Sequence, residues 1–372
     1  MNKHQPYDLK QMQSLPLEAK IVMTKQRIRQ WYDYWNGEVY VSFSGGKDST
    51  VLKHIVDNTS GVYDVPAVFV NTGLEYPEIQ RFVKDVKAGK WDCFNSNVEI
   101  IRPEMRFDEV LKKYGYPAVS KEVSNTISGA KNSIRKGVYS HRLCKLGVLK
   151  CEYGGLNDDG LYDYEKTLEK SIYRQDKWRF LLDANFDVSS FCCDVMKKKP
   201  TKQYEKDTGR KAIIGTMAWE SQNRKTAWIL HGCNAFESKR PTSQPLSFWT
   251  EQDVLHYIKN YNVPYCPVYG DIRVKPTEDA EEGQINAIDL LGCYEPEDTL
   301  ETTGCHRTGC IFCMFGCHLE KEPNRFQRLK ETHPRQYECC INGGEMVDGK
   351  WQPNKEGLGL GKVLDYIGVK YD

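Results

Sequence analysis

Residues 42–50 read Ser-Phe-Ser-Gly-Gly-Lys-Asp-Ser-Thr, directly after the apolar run Val39-Tyr40-Val41. The pattern predicts a strand over 39–43, a glycine turn, and a helix over 49–57 that begins Thr50-Val51-Leu52. Gly45 and Gly46 let backbone N–H groups turn inward where a Cβ would otherwise stand. The helix start adds free N–H donors and a positive dipole end. Lys47 can neutralise phosphate charge, and the hydroxyls of Ser44 and Ser49 can donate hydrogen bonds. The spacing is not that of a G-x-x-x-x-G-K-[ST] phosphate loop. The plainer reading is an ordinary glycine-rich βα turn; the strand before it and the helix after it weigh against that.

Regular elements continue on both sides. Residues 16–35 have the apolar spacing of a helix, with Gly37 as its stop. A second strand, Ala67-Val68-Phe69-Val70, runs into Asn71-Thr72-Gly73. A helix over Pro77–Lys87 follows, then a third strand over 98–102. Strands alternating with helices predict an α/β fold with a parallel, doubly wound sheet. Ligands of such sheets bind beyond the carboxyl ends of the strands, where both Ser44–Ser49 and Asn71–Gly73 fall.

Residues 115–190 are polar and rich in Lys and Asp, with helical stretches over 119–136 and 163–182. The αβ pattern returns at Ala212-Ile213-Ile214-Gly215. From Glu278 to Asp298 the chain is acidic and irregular, then cysteine-rich, and 361–367 read as a short packed helix. The sequence thus divides into an N-terminal helical segment (1–37), a nucleotide-binding domain (38–270) with a helical insertion around 115–190, and a cysteine-rich metal-binding region (271–372).

Composition fits a folded chain: 372 residues, 40% hydrophobic, 28% charged. No apolar run approaches the ~20 residues that span a bilayer. The start, Met1-Asn2-Lys3-His4, has no apolar stretch of a secretion signal, so the expected location is the cytoplasm. A net charge of +1 neither requires nor excludes a nucleic-acid partner, since a local basic patch can sit on a neutral chain.

In a reducing compartment, 14 cysteines read as metal ligands or redox groups. Cys305, Cys310, Cys313 and Cys317 form C-x4-C-x2-C-x3-C; Cys192-Cys193 and Cys339-Cys340 are vicinal pairs; Cys144 and Cys151 lie seven apart. A C-x2-C turn presents two thiolates to one metal centre, and both zinc and an iron–sulfur cluster accept them. Spacing alone leaves the two open. Cys93, Cys151, Cys233, Cys266 and Cys293 read as core or incidental residues.

Ser44-Gly45-Gly46-Lys47-Asp48-Ser49 resembles the PP-loop of the ATP pyrophosphatase (adenine nucleotide alpha-hydrolase-like) superfamily, whose members split ATP into AMP and pyrophosphate. Asn71-Thr72-Gly73-Leu74-Glu75-Tyr76-Pro77-Glu78 resembles the D-T-G-x-x-[FY]-P-E segment of the phosphoadenylylsulfate (PAPS) reductase family, with Asn71 in place of Asp. Gly215 to Arg224 resembles that family's G-x-R-x-x-E-S-x-x-R, with Met217 where Arg is usual. Glu220 and Arg224, four apart, would share a helix face; an ordinary surface ion pair is the plainer reading. Pro245 to Val254 resembles the family's P-L-x-x-W-x-x-x-D-V helix, and Thr250 to Asp253 is also a capping pattern.

Phe191 to Pro200 resembles the Cys-Cys segment of assimilatory adenylylsulfate reductases. There the pair and a distant C-x2-C hold a 4Fe–4S cluster. Arg307-Thr308-Gly309-Cys310-Ile311-Phe312-Cys313 also resembles the cysteine motif of DNA phosphorothioation proteins. The resemblance implies Cys192, Cys193, Cys310 and Cys313 as ligands, with Cys305 and then Cys317 in reserve; Cys193 with Cys305, Cys310 and Cys313 is the alternative set.

Three functional classes follow. The first is an ATP-dependent adenylating enzyme that takes part in sulfur transfer. Lys47, Asp48 and Arg224 would be catalytic, Asp48 holding Mg²⁺. ATP would be bound by Ser44–Ser49, Asn71, Thr72, Gly73, Gly215, Glu220 and Ser221. The resemblance favours it, because sulfonucleotide reductases lose the Lys-Asp pair of this loop. Its acceptor would be tRNA, DNA or a small molecule, its sulfur donor a partner such as a cysteine desulfurase, and its assembly a homodimer. Lys131, Arg135, Lys136, His141, Arg142 and Lys197–Lys199 could meet phosphates, or simply form a solvated charged face. The second class is a sulfonucleotide reductase. Its expected Glu-Cys-Gly tail is missing, and Glu338-Cys339-Cys340-Ile341 is a partial echo. The third is a non-catalytic nucleotide sensor with a structural metal.

Overall fold

The structure, a computed structural model, describes residues 3–149, 155–156, 162–163, 174–275 and 298–372. Cys151, Cys293 and all but the last residue of the acidic stretch up to Asp298 lie outside the described residues, as does half of the helix expected over 163–182. The described end of that stretch, Asp176–Leu182, is a 3-10 helix.

Contacts divide the chain into two units, Met1–Pro103 with Pro200–Ile311, and Glu104–Lys199 with Phe312–Asp372. The first unit is built on a six-stranded sheet: β1 (Val39–Ser42), β2 (Ala67–Val70), β3 (Val98–Ile101), β4 (Lys211–Ile214), β5 (Asn234–Ala235) and β6 (Thr242–Ser243). Their order is β3-β2-β1-β4-β6-β5. All pairings are parallel except β5 with β6. The chain steps from β1 outward to β3 and then returns to β4 on the other side of β1. Strand order therefore reverses between β1 and β4, the place where open parallel sheets leave a crevice for ligands.

The period-2 alternation of the strands explains how both faces are buried. Val39, Val41, Ala67, Phe69 and Ile213 enter the main core with Ile28 and Trp31 of α1 (Leu17–Tyr34) and Val51, Leu52 and Ile55 of α2 (Lys47–Asp57). Tyr40, Val68 and Ala212 point the other way and meet Tyr204, from the helix Lys199–Thr208. Helices α3 (Pro77–Lys87), α4 (Gln222–His231) and α5 (Glu251–Asn260) complete the elements that bear on the site. Pro77 takes the first helical position of α3, where its missing N–H costs nothing. Thr250 and Asp253 form the expected capping box at α5. Asp253 also takes the buried ammonium of Lys20 at 2.8 Å, tying α5 to α1.

Among its described residues the regular elements of the second unit are mostly helices, with a tail hairpin (Glu345–Val347 with Lys350–Gln352). Its long helix, Lys121–Lys136, starts at the Ser120 cap and ends on Gly137, in the left-handed region. The helix Phe107–Tyr114 and the tail helix Leu360–Tyr366 belong to the same unit. No helix among the described residues is long and apolar enough to cross a membrane.

Candidate functional site

The loop after β1 is held from within. Gly45 has φ +71°, and a Cβ there would lie 2.9 Å from Ile79 Cγ2 and 3.0 Å from Val83 Cγ2 of α3. Only glycine meets both demands. The Ser44 and Ser49 hydroxyls are 3.0 Å apart. Ser49 Oγ accepts the Ser44 N–H at 3.1 Å and donates to the Gly46 carbonyl at 2.9 Å. α2 begins at Lys47, two residues before the expected start, because Gly46 is already an extended N-cap. The helix therefore opens inside the motif, and the amides of Lys47, Asp48 and Ser49 are its first N–H groups.

Lys47 is buried, at 4% exposure. Its ammonium lies 3.0 Å from Glu251 Oε1, donates to the His306 carbonyl at 3.0 Å, and stands 3.8 Å from Asp48 Oδ1. Its backbone N–H donates to the Tyr269 hydroxyl at 3.1 Å, and that hydroxyl is 2.7 Å from Thr308 Oγ1. A Cβ on Gly46 would press on the same two groups, 3.0 Å from Thr308 Oγ1 and 3.1 Å from the Tyr269 hydroxyl. Burial pushes the Tyr269 phenol well above its ordinary range, so it stays a neutral hydroxyl. Burial likewise raises the Asp48 carboxyl, against the opposing pull of Lys47. Asp48 Oδ1 is buried and makes no hydrogen bond among the described residues.

β4 ends beside this loop. Ser42 pairs with Ile214, and a Cβ on Gly215 would lie 3.1 Å from the Asp48 carbonyl. Glu220 and Arg224 do pair, but not along one helix face as the spacing predicted. Glu220 closes the 3-10 turn Ala218–Glu220, and Ser221 is the extended N-cap of α4. Ser221 spends its hydroxyl as that cap, accepting from the Arg224 N–H at 3.4 Å. The Glu220 carboxylate, 7% exposed as a side chain, accepts from Arg224, from Arg307 and from the Met217 N–H at 3.0 Å. Burial, and then the charge of Arg307, lower the Arg224 pKa. Met217 is buried at 2%.

Asn71, Thr72 and Gly73 form a turn of their own at the end of β2. Asn71 Oδ1 accepts from the Gly73 N–H at 3.0 Å, and Glu75 accepts from Thr72 Oγ1 at 2.6 Å. The Ile311 N–H donates to the Leu74 carbonyl at 2.7 Å, which fixes one foot of the 303–311 segment. The other foot is zipped to 268–271 by Cys305 N–H to the Val268 carbonyl at 3.0 Å and Gly304 N–H to the Tyr269 carbonyl at 2.8 Å.

Cys305 and Cys310 therefore belong to the first unit, while Cys192, Cys193, Cys313 and Cys317 belong to the second. Cys192, Cys193, Cys305, Cys310 and Cys313 are half-buried and form no disulfide among the described residues; Cys317 is buried and its thiol is pushed up to about 11 by burial. The hydrogen bond from Cys192, aided by Lys121 and Lys197, holds Cys193 down to about 6 against burial. Among the described residues no three His, Cys, Asp or Glu side chains converge as a metal group. Cys233 and Cys266 are buried as expected of core residues, and Cys93 is half-buried. Cys340 is buried, and Cys339 sits near the carbonyl end of the helix Pro334–Ile341 with its thiol raised by burial and Asp108.

Parts of the basic stretches are internally engaged. Lys131 donates to the carbonyls of Ala184 and Phe186 at 3.2 and 3.0 Å, Lys198 pairs with Asp194 at 2.7 Å, and Lys199 pairs with Glu104. Sequence reasoning missed Glu251, Tyr269, His306 and the contacts of Arg307 and Thr308. The first lies one residue past the Thr250 cap, and the last two were quoted only as neighbours of a cysteine.

The family model of the phosphoadenosine phosphosulfate reductase domain matches residues 38–146 and 156–314. Two uncharacterized proteins of Methanocaldococcus jannaschii are similar. One is 25% identical over 268 residues, 72% of this chain and 38% of its own length. The other is 31% identical over 103 residues, 27% of this chain and 23% of its own. The chain thus spans well under two thirds of either relative. Among solved structures, the PAPS reductase of Candida auris in its phosphate complex overlays with a TM-score of 0.35 at 16% identity, covering 65% of this chain and 82% of that one. A variant of the FMN adenylyltransferase of Candida glabrata gives a TM-score of 0.34 at 12% identity, covering 78% and 80%.

Proposed function

The chain belongs to the phosphoadenosine phosphosulfate reductase domain family, and from that footing we propose that it binds ATP with Mg²⁺, adenylates a substrate with release of pyrophosphate, and takes part in sulfur transfer. The observation that carries this reading is the loop itself: a left-handed Gly45, two mutually bonded serines, helix N–H groups that begin inside the motif, and a buried lysine ammonium beside them.

Each residue has a role in that reaction. The helix-start amides and the Ser44 and Ser49 hydroxyls cradle the departing pyrophosphate. Lys47 offsets the negative charge that builds on it, a preorganised electrostatic contribution. Its ammonium is already desolvated, so its field is stronger than in water. Asp48 would hold Mg²⁺: its Oδ1 is buried and has no hydrogen-bond partner among the described residues. Arg224 orients a substrate oxyanion, and Glu220 positions Arg224.

By the resemblance alone, the thiols that would ligate a 4Fe–4S cluster, or zinc in its place, are Cys192, Cys193, Cys310 and Cys313, with Cys305 in reserve; among the described residues no three such side chains converge. The donor type suits such a group: these thiols are half-buried and form no disulfide among the described residues, and the pKa of Cys193 is held down to about 6. A cluster held by only three of these thiolates would supply its fourth iron as a place for the sulfur that is delivered. A cytoplasmic location suits thiols that form no disulfide among the described residues. The acceptor in this reading is tRNA or DNA, with a cysteine desulfurase as sulfur donor and a homodimer as the working form.

The test is made on protein purified without oxygen. ATP and Mg²⁺ are added with and without bulk tRNA or DNA, and AMP and pyrophosphate are quantified. PAPS with a thiol reductant is run in parallel. AMP and pyrophosphate that disappear in Lys47→Ala establish the adenylating reading. Sulfite from PAPS with ATP left intact overturns it in favour of a reductase. Tight ATP binding with no turnover of either nucleotide would leave a sensor.

A further inference from the structure

We propose that Arg307, carried on the cysteine segment, joins Arg224 to form a two-arginine site for an oxyanion of the nucleotide substrate, beside the phosphate loop. The inference deepens the reading above and rests on its placing of a nucleotide at Ser44–Ser49.

One carboxylate, that of Glu220, serves both guanidiniums: Arg307 on Oε1 and Arg224 on Oε2. Oε2 also accepts the Met217 N–H at 3.0 Å. Glu220 is nearly fully buried, whereas the arginine side chains are 38% (Arg224) and 68% (Arg307) exposed. The carboxylate is thus spent inward, and the two cations present their outer edges to solvent with one positive charge in excess. Like charges held together are costly, and an anion between their free N–H groups relieves that cost. Guanidinium forks match phosphate and sulfate oxygens with two parallel hydrogen bonds each.

Position and sequence agree. Arg307 follows His306, whose carbonyl takes the Lys47 ammonium at 3.0 Å, and precedes Thr308, which meets the Tyr269 hydroxyl at the helix start. Both arginines are close enough to Asp48 to influence its carboxyl. Position 217, where the resembled motif has an arginine, holds a methionine buried at 2%, so it supplies no cation. The second cation comes from a segment some ninety residues further along. That segment is fixed at both feet, by Gly304 and Cys305 on 268–269 and by Ile311 on Leu74.

The experiment is equilibrium binding by calorimetry to the full chain, with four ligands: ATP, AMP, PAPS and adenosine 3′,5′-bisphosphate. The first pair reports on the outer phosphates and the second on the sulfate. Arg307→Met is expected to weaken ATP or PAPS by roughly tenfold or more while AMP and the bisphosphate change little. Arg307→Lys keeps the charge without the fork and falls between. The two methionine variants of Arg224 and Arg307 combine non-additively, because they share Glu220. Arg307 is exposed, so an unchanged melting temperature is expected and checks folding. Wild-type affinity for all four ligands in Arg307→Met overturns the proposal. If Lys47→Ala leaves ATP binding intact while Arg307→Met weakens it, the arginine site stands and the loop reading falls. If Lys47→Ala abolishes ATP binding while Arg307→Met does not, the reverse holds. No binding of any ligand to the wild type overturns both.

Discussion

The ammonium of Lys47 donates to the carbonyl oxygen of His306 at 3.0 Å, so the phosphate loop is hydrogen-bonded directly to the segment bearing Cys305 and Cys310. Glu251 takes the same ammonium at 3.0 Å. A nucleotide phosphate that reaches Lys47 competes with both. Replacing Lys47 by Met removes the cation but leaves Glu251 partly exposed and able to hydrate, so the fold should survive. The expected result is a loss of AMP and pyrophosphate formation by about 10² or more, the usual scale for deleting a preorganised electrostatic group. Steady-state assays beside a thermal melt check it; an active Lys47→Met would remove the loop from the chemistry.

The two glycines of the loop fail differently when replaced. Gly45→Ala places a Cβ 2.9 Å from Ile79 and 3.0 Å from Val83 at a φ of +71°. Strain and clash together should cost about 1–3 kcal/mol, visible as a lower urea midpoint. Gly46→Ala needs no special φ, but its Cβ presses on Thr308 and Tyr269 at 3.0 and 3.1 Å. It should affect nucleotide affinity more than stability. Equal stability losses in both variants would contradict this division.

What the sequence made legible follows from how local the cause is. The strand, loop and helix at 39–57 rest on alternation, glycines and a helix start, all within twenty residues, and only the first turn was misplaced because Gly46 caps earlier than Ser49 could. Strand order is less local, yet the return from β3 to β4 is what puts Gly215 against Asp48. Tyr269 and Arg307 were invisible as site residues because nothing around them repeats or caps. Their roles come from chain segments over two hundred and over eighty residues from their partners Lys47 and Glu220. The grouping of 104–199 with the tail 312–372 is non-local in the same way.

Lys20 and Asp253 form a buried, doubly hydrogen-bonded ion pair at 2.8 Å, with side chains 3% and 12% exposed. The same carboxylate caps α5 through Thr250 at 2.6 Å. Lys20→Met strands the Asp253 charge in the interior and should destabilise the protein by about 3–5 kcal/mol. The double variant Lys20→Met with Asp253→Leu removes both charges but also the cap, so it should recover part of that loss and not all of it. Chemical denaturation of the three proteins measures the coupling directly. Additive losses would show that the pair contributes nothing as a pair.

His54 carries a pH dependence of stability. Its ring is buried on α2, with Nδ1 2.9 Å from the Tyr257 hydroxyl, and burial holds its pKa down to about 4 against an ordinary 6.5. The folded state then keeps His54 neutral while the unfolded chain binds a proton below pH 6.5. Between those values the unfolded state holds more protons, so stability rises with pH. The contribution is complete above about pH 6.5 and is lost as pH falls toward 4, by up to about 3 kcal/mol. His54→Gln keeps a polar partner for Tyr257 and removes the titration. Urea midpoints at pH 7.5 and pH 5.0 should therefore differ more for the wild type than for His54→Gln. Equal differences would mean that His54 is protonated as readily in the folded protein as in the unfolded chain.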